Sequence, residues 1–180
     1  MESRPDDATP IVLTIGHSTR ESGEFLALLR GHGVARVVDV RTVPRSRHNP
    51  QFNRETLPAA LEAERIGYTH MPELGGLRKP RPDSPNGGLR NSSFRGYADY
   101  MLTREFAAAL DRLLETAKAE RVALMCAEAV PWRCHRSLIA DSLAARGIRV
   151  EHILGPGRRR PHVLSQMARI EGGDVFYPPS

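Results

Sequence analysis

The segment CAEAVPWRCHR, residues 126–136, concentrates residue types that do covalent and proton-transfer chemistry. Cys126 and Cys134 supply thiols, Glu128 and His135 proton carriers, and Arg133 and Arg136 positive charge. The run before it, RVALMC, reads as a buried strand, so Cys126 projects from a rigid end. Pro131 forces a turn, and Cys134, His135 and Arg136 then open a helix. A thiol near a helix N-terminus and beside cations has its pKa lowered from about 8.5, because dipole and charge both favour the anion. Such a thiolate could be a nucleophile, with His135 or Glu128 as base and backbone amides as an anion cradle. Either cysteine could instead be a packed, silent thiol. With the two only eight positions apart, a disulfide would close a small loop, and none is expected. No cofactor is predicted; zinc or iron held by Cys126, Cys134, His135 and His17 is an alternative, although C-x7-C-H matches no standard zinc spacing.

Three other segments carry candidate chemistry. In TIGHSTR, Gly16 allows a tight turn, and His17, Ser18 and Thr19 offer donors for a phosphate or carboxylate; a simple helix cap by Ser18, Thr19 or Ser22 is the alternative. In DVRTVPRSRHNPQFN, Asp39 and Arg41 form an ion pair or a ligand clamp, and Arg45, Ser46, Arg47 and His48 are donors suited to an anion. In PELGG, Glu73 offers a carboxylate, and Gly75 and Gly76 allow a close backbone approach. Tyr97 and Tyr100 are expected to pack in a helix rather than stack on bases.

These groups can meet only if the fold brings them together. The apolar runs 11–15, 35–40, 68–71, 121–126 and 148–153 read as strands. Helical spacing falls at 22–31, 55–66, 97–102, 104–119 and 135–146, with Gly31 or Gly33 ending the first and Gly147 the last. Residues 72–96 are too rich in Pro and Gly for regular structure. Alternating strands and helices predict an α/β fold: an open, mostly parallel sheet of about five strands with helices on both faces. In such sheets ligands bind at the carboxyl ends of the strands, where all four segments lie. We expect a disordered arm over 1–10, a single α/β domain over 11–154 and a partly ordered basic tail over 155–180, with one short helix near 162–170.

The 180 residues suit one domain, and 40% hydrophobic content is enough for one core. No window is apolar enough for a membrane span, and the N-terminus lacks a signal-peptide core, so a cytoplasmic protein is expected. A net charge of +5, with four arginines and no acid over 41–54 and Arg-Arg-Arg at 158–160, suits a phosphorylated ligand or nucleic acid as partner.

Five ordered segments carry a family resemblance: TIGHSTR (14–20), VVDVRTVPRSRHNPQFN (37–53), PELGG (72–76), GYADYM (96–101) and LMCAEAVPWRCHRSLIA (124–140). The chain resembles the bacterial and archaeal domain of unknown function 488 family from about residue 11 to 154. The resemblance implies that His17, Asp39, Arg41, Glu73, Gly75, Gly76, Cys126, Glu128, Cys134, His135 and Arg136 are signature positions, and it implies no particular reaction. A looser similarity in plan, a cysteine after a strand with an anion-binding turn behind it, links Cys126 to rhodaneses and cysteine phosphatases. Its spacing to Arg133 is one residue longer than the phosphatase loop. The leading expectation is an enzyme acting on an anionic substrate: a nucleotide, a nucleic-acid component or another phosphorylated metabolite. Cys126 or Cys134 would react, His135 and Glu128 would move protons, and Arg41, Arg45 and Arg136 would hold the anion with His17, Ser18 and Thr19. The alternatives are a nucleic-acid binding module without catalysis and a Cys/His metal protein.

Overall fold

The apolar runs form five parallel strands: β1 (Ile11–Gly16), β2 (Arg36–Asp39), β3 (Gly67–His70), β4 (Val122–Cys126) and β5 (Arg149–Gly155). Between them lie α1 (Ser22–Gly31), α2 (Leu57–Ala63), α3 (Ser92–Tyr100), α4 (Arg104–Ala119) and α5 (Arg136–Ala145). The computed structural model describes residues 10–180, so the disordered arm expected over 1–10 falls, but for Pro10, outside the described residues. A sixth strand, β6 (Arg158–Pro161), runs antiparallel to β5. The sheet order is β3-β2-β4-β1-β5-β6.

Side chains of a strand alternate between faces. Leu13, Ile15, Ala123 and Met125 therefore meet Phe25, Leu28 and Leu29 of α1 and Leu57 and Leu61 of α2 on one face. Val12, Val122, Leu124 and Cys126 meet α3, α4 and α5 on the other. This alternation sends Cys126 to the α5 side, where Cys134 also packs. The neighbouring strands β1 and β4 feed helices on opposite faces.

Three local expectations are corrected. None of the hydroxyls of Ser18, Thr19 and Ser22 caps α1; its N-cap is Glu21, with no side-chain bond. The third helix begins at Ser92 rather than 97, because the Asn91 side chain accepts from Ser93 N and Phe94 N. No helix forms over 162–170. Instead β7 (Arg169–Glu171) and β8 (Asp174–Phe176) make a hairpin across Gly172 and Gly173, both at positive φ. That hairpin returns Tyr177 to the core, fully buried.

Candidate functional site

β4 ends at Cys126, and the chain turns through 127–133 before α5 begins. The turn is tied to β1: His17 N donates to Cys126 O at 2.9 Å and Ser18 N to Ala127 O at 3.0 Å. Gly16 is required here, since a Cβ on it would lie 1.7 Å from the Glu128 carbonyl oxygen. The His17 and Ser18 amides are thus spent on the turn. The turn brings the two sulfurs together at 2.6 Å. Cys126 is 3% exposed and Cys134 5%, and both line a cavity of about 350 Å³ with Arg41, Arg45, Glu128, Arg133 and His135.

The two thiols have opposite environments. Burial pushes the Cys126 thiol well above its ordinary pKa, and its hydrogen bond to Cys134 adds to this. Cys134 is held well below the ordinary thiol value, first by the hydrogen bond from Cys126, then, against burial, by His135 and Arg136. The environment therefore favours the anion at Cys134 over Cys126. The Cys134 sulfur accepts from Arg136 N at 3.4 Å, at the start of α5.

His135 Nε2 lies 2.9 Å from Val40 O. A carbonyl only accepts, so Nε2 carries the proton and Nδ1 faces Cys134 Sγ at 3.6 Å. A Cβ at Gly76 would lie 2.7 Å from Nδ1, so the bare backbone of PELGG lets this ring sit where it does. Arg136 is 1% exposed and makes no salt bridge to a carboxylate among the described residues. Its guanidinium donates to Glu128 O at 2.7 Å and Thr14 Oγ1 at 3.1 Å, and Nε has no partner among them. A buried cation favours an anion in its surroundings, and Arg136 is one of the neighbours that lower the Cys134 pKa.

The other candidates divide sharply. Asp39, fully buried, grips Arg41 through Nε at 2.9 Å and Nη2 at 2.7 Å, and accepts from Tyr68 OH at 2.6 Å. It positions Arg41, which reaches the cavity with its charge matched. Arg45 is an exposed rim residue paired with Glu55. His17, Ser18, Thr19, Glu73 and Gly75 do not line the cavity. The His17 ring stacks on Phe52 at 4.4 Å, and burial lowers its pKa. Thr19 is exposed, and the Glu73 carboxylate lies 3.6 Å from Arg112 on α4. The backbone of Glu73 and Leu74 accepts from Tyr100 OH and Tyr97 OH, so these tyrosines pack and anchor the PELGG loop. The alternative metal set is not gathered: with His17 turned to Phe52, no group of three or more His, Cys, Asp or Glu among the described residues is arranged to hold an ion.

A polar chain missed by sequence reasoning runs from Arg136 through the core. The Thr14 hydroxyl lies 2.6 Å from His152 Nδ1, His152 Nε2 3.0 Å from His162 Nδ1, and His162 Nε2 2.7 Å from Asp141 Oδ1. Tyr177 OH donates to Asp141 Oδ2 at 2.6 Å. One assignment satisfies every member. Asp141 accepts from His162, neutral His162 accepts from His152, and neutral His152 accepts from Thr14, which accepts from Arg136. The legible signal was Asp141 in LIADSL, an acid on the buried face of a helix. Beside this chain lies a second cavity of about 330 Å³, where Trp132, 55% exposed, faces Arg160 at 5.7 Å.

Burial first, then its neighbours His162, Arg136 and Arg160, bring the His152 pKa down to about 3. An unfolded histidine titrates near 6.5. Between these values the unfolded chain binds a proton that the folded chain refuses. Stability from neutral His152 is therefore full above about pH 6.5 and drains as pH falls toward 3, by up to about 1.4 kcal/mol per unit. Urea midpoints should drop from pH 7 to 5, and His152→Gln should flatten that decline. An unaltered slope in the variant would remove His152 as its source.

Fold and geometry define an open α/β protein with a thiol pair in a cavity at the carboxyl edge of its sheet. The chain belongs to the family described as domain of unknown function DUF488, whose model matches residues 22–143, about two thirds of its length. That span takes in the DVR, PELGG and CAEAVPWRCHR segments but not TIGHSTR. Comparison with curated proteins and with solved structures gave no match.

Proposed function

We propose that the protein is a thiol-dependent enzyme whose nucleophile is Cys134. The observation that carries this reading is the sulfur pair in contact on a cavity wall, at the start of α5 and beside a buried Arg136 with no carboxylate partner among the described residues. Cys126 hydrogen-bonds the nucleophile, and His135 Nδ1 stands 3.6 Å from its sulfur. Exposed Arg133 and Arg45 favour an anionic substrate at the rim, with Arg41 held in place by Asp39.

Alkylation by iodoacetamide, mapped by cysteine, tests this. Cys134 should react nearly as fast at pH 5 as at pH 7, whereas a thiol of pKa 8.5 slows about a hundredfold over those two units. Cys126 should react only after unfolding. A hundredfold decline at Cys134 would sink the proposal.

A second reading, nucleic-acid binding, is supported by exposed Trp132 beneath Arg160 and by the exposed arginines of β6. Affinity for a single-stranded oligonucleotide should then fall steeply with salt and weaken in Trp132→Ala. Salt-independent binding, or none at low salt, would discard it. No helix among the described residues is long and apolar enough to cross a membrane.

A further inference from the structure

We infer that Cys126 and Cys134 form a dithiol that exchanges with small anionic disulfides, Cys134 attacking and Cys126 resolving. This rests on Cys134 being the nucleophile proposed above and names the reaction it performs.

Three observations carry it. The two sulfurs are in direct contact, so the chain already places them for a disulfide bond to close between them. The small loop that argued against such a bond in the sequence is the device that creates this proximity. Second, the pair is asymmetric. Cys134 is supported as an anion by Arg136 N and faces His135 Nδ1, whereas Cys126 has only its partner sulfur and, distantly at 3.9 Å, the Glu128 carbonyl. Third, both sulfurs line one cavity, with Arg133 and Arg45 at its rim to draw in a negatively charged molecule.

With glutathione disulfide as oxidant, the Cys134 thiolate attacks one of its sulfurs. That S–S bond breaks, and one glutathione leaves as thiolate and takes a proton from solvent. The Cys126 sulfur then attacks Cys134 Sγ, breaking the mixed disulfide. The second glutathione departs with the proton Cys126 gives up. Two electrons pass from the dithiol to glutathione disulfide, leaving one protein disulfide and two glutathione thiols.

The full chain is incubated with glutathione disulfide, acid-quenched, alkylated and weighed by intact and peptide mass spectrometry. The wild-type chain should lose two hydrogens and retain no glutathione. Cys126→Ser, whose hydroxyl still donates to the Cys134 sulfur, should accumulate one glutathione on Cys134. Cys134→Ser should modify Cys126 at least about tenfold more slowly, since only thiolate attacks. If wild type stays a dithiol while Cys134 still alkylates at pH 5, the exchange reaction is wrong and the nucleophile reading stands. If Cys134 resists both reagents in folded wild type, both readings fall. Equal glutathione uptake by the two variants would overturn the assigned order.

Discussion

Asp39→Ala is expected to cost about 3–5 kcal/mol of folding stability, the largest loss anticipated for a single polar substitution in this chain. The reason is the arithmetic of a buried ion pair. Asp39 is fully buried, and its two oxygens accept from Arg41 N, Nε and Nη2 and from Tyr68 OH. Arg41 is itself 7% exposed, so removing the carboxylate strands a cation away from water. A domain of this size has about 5–15 kcal/mol in all, so the variant should melt well below the wild type. The double variant Asp39→Ala, Arg41→Met tests the cause. With no stranded charge it should recover part of the loss, and urea denaturation followed by circular dichroism will read the difference. If the double variant is less stable than Asp39→Ala alone, the loss comes from packing instead. Either result bears on the site, since Arg41 lines the cavity and Asp39 is what aims it.

Arg136→Met should act on reactivity more than on stability. Arg136 has no carboxylate partner among the described residues to strand, and the Cys134 sulfur can take up a proton when the cation is gone. The methionine fills much of the vacated volume, while Thr14 and Glu128 O each lose one donor. An opposite charge within a few ångströms shifts a pKa by about 1–3 units. Arg136 is the last in order of the influences that favour the Cys134 thiolate, so the midpoint of the Cys134 alkylation profile should rise by about 1 unit at most, and His152, freed of one neighbouring cation, should also titrate higher. An unmoved Cys134 midpoint would mean that the bond from Cys126 alone sustains the thiolate. Arg136→Lys is a useful companion. It keeps the charge but not the two-pronged reach to Thr14 and Glu128 O, so it should restore the midpoint better than the hydrogen-bond chain.

The strands were legible because β1, β2 and β4 are short apolar runs with no competing helical period. α4 was legible from Phe106, Leu110 and Leu113 at helical spacing. The start of α3 was hidden because 72–96 is dense in Pro and Gly, although Asn91-Ser92-Ser93 carried a readable cap. β6 was hidden for a different reason. Arg158–Pro161 has no apolar pattern at all and is a strand only because β5 offers it an edge to pair with. The hairpin β7–β8 had its signal in Gly172-Gly173, overlooked beside the basic run before it.

Residue types and spacing alone determined that Cys126 ends a strand, that a helix starts just after Cys134, and that the alternating elements build a parallel sheet. Those are local properties, set by apolar periodicity, Pro131 and Gly147. Which residues meet was decided by the tertiary structure. Strand alternation turns Cys126 to the α5 face, and the 127–133 turn, seated on Gly16, brings Cys134 to it. Packing turns His17 onto Phe52 and Glu73 toward Arg112, out of a site their types suited. It also strings Thr14, His152, His162, Asp141 and Tyr177 into one hydrogen-bonded line across 163 positions of chain, because buried polar groups must find partners wherever the fold places them.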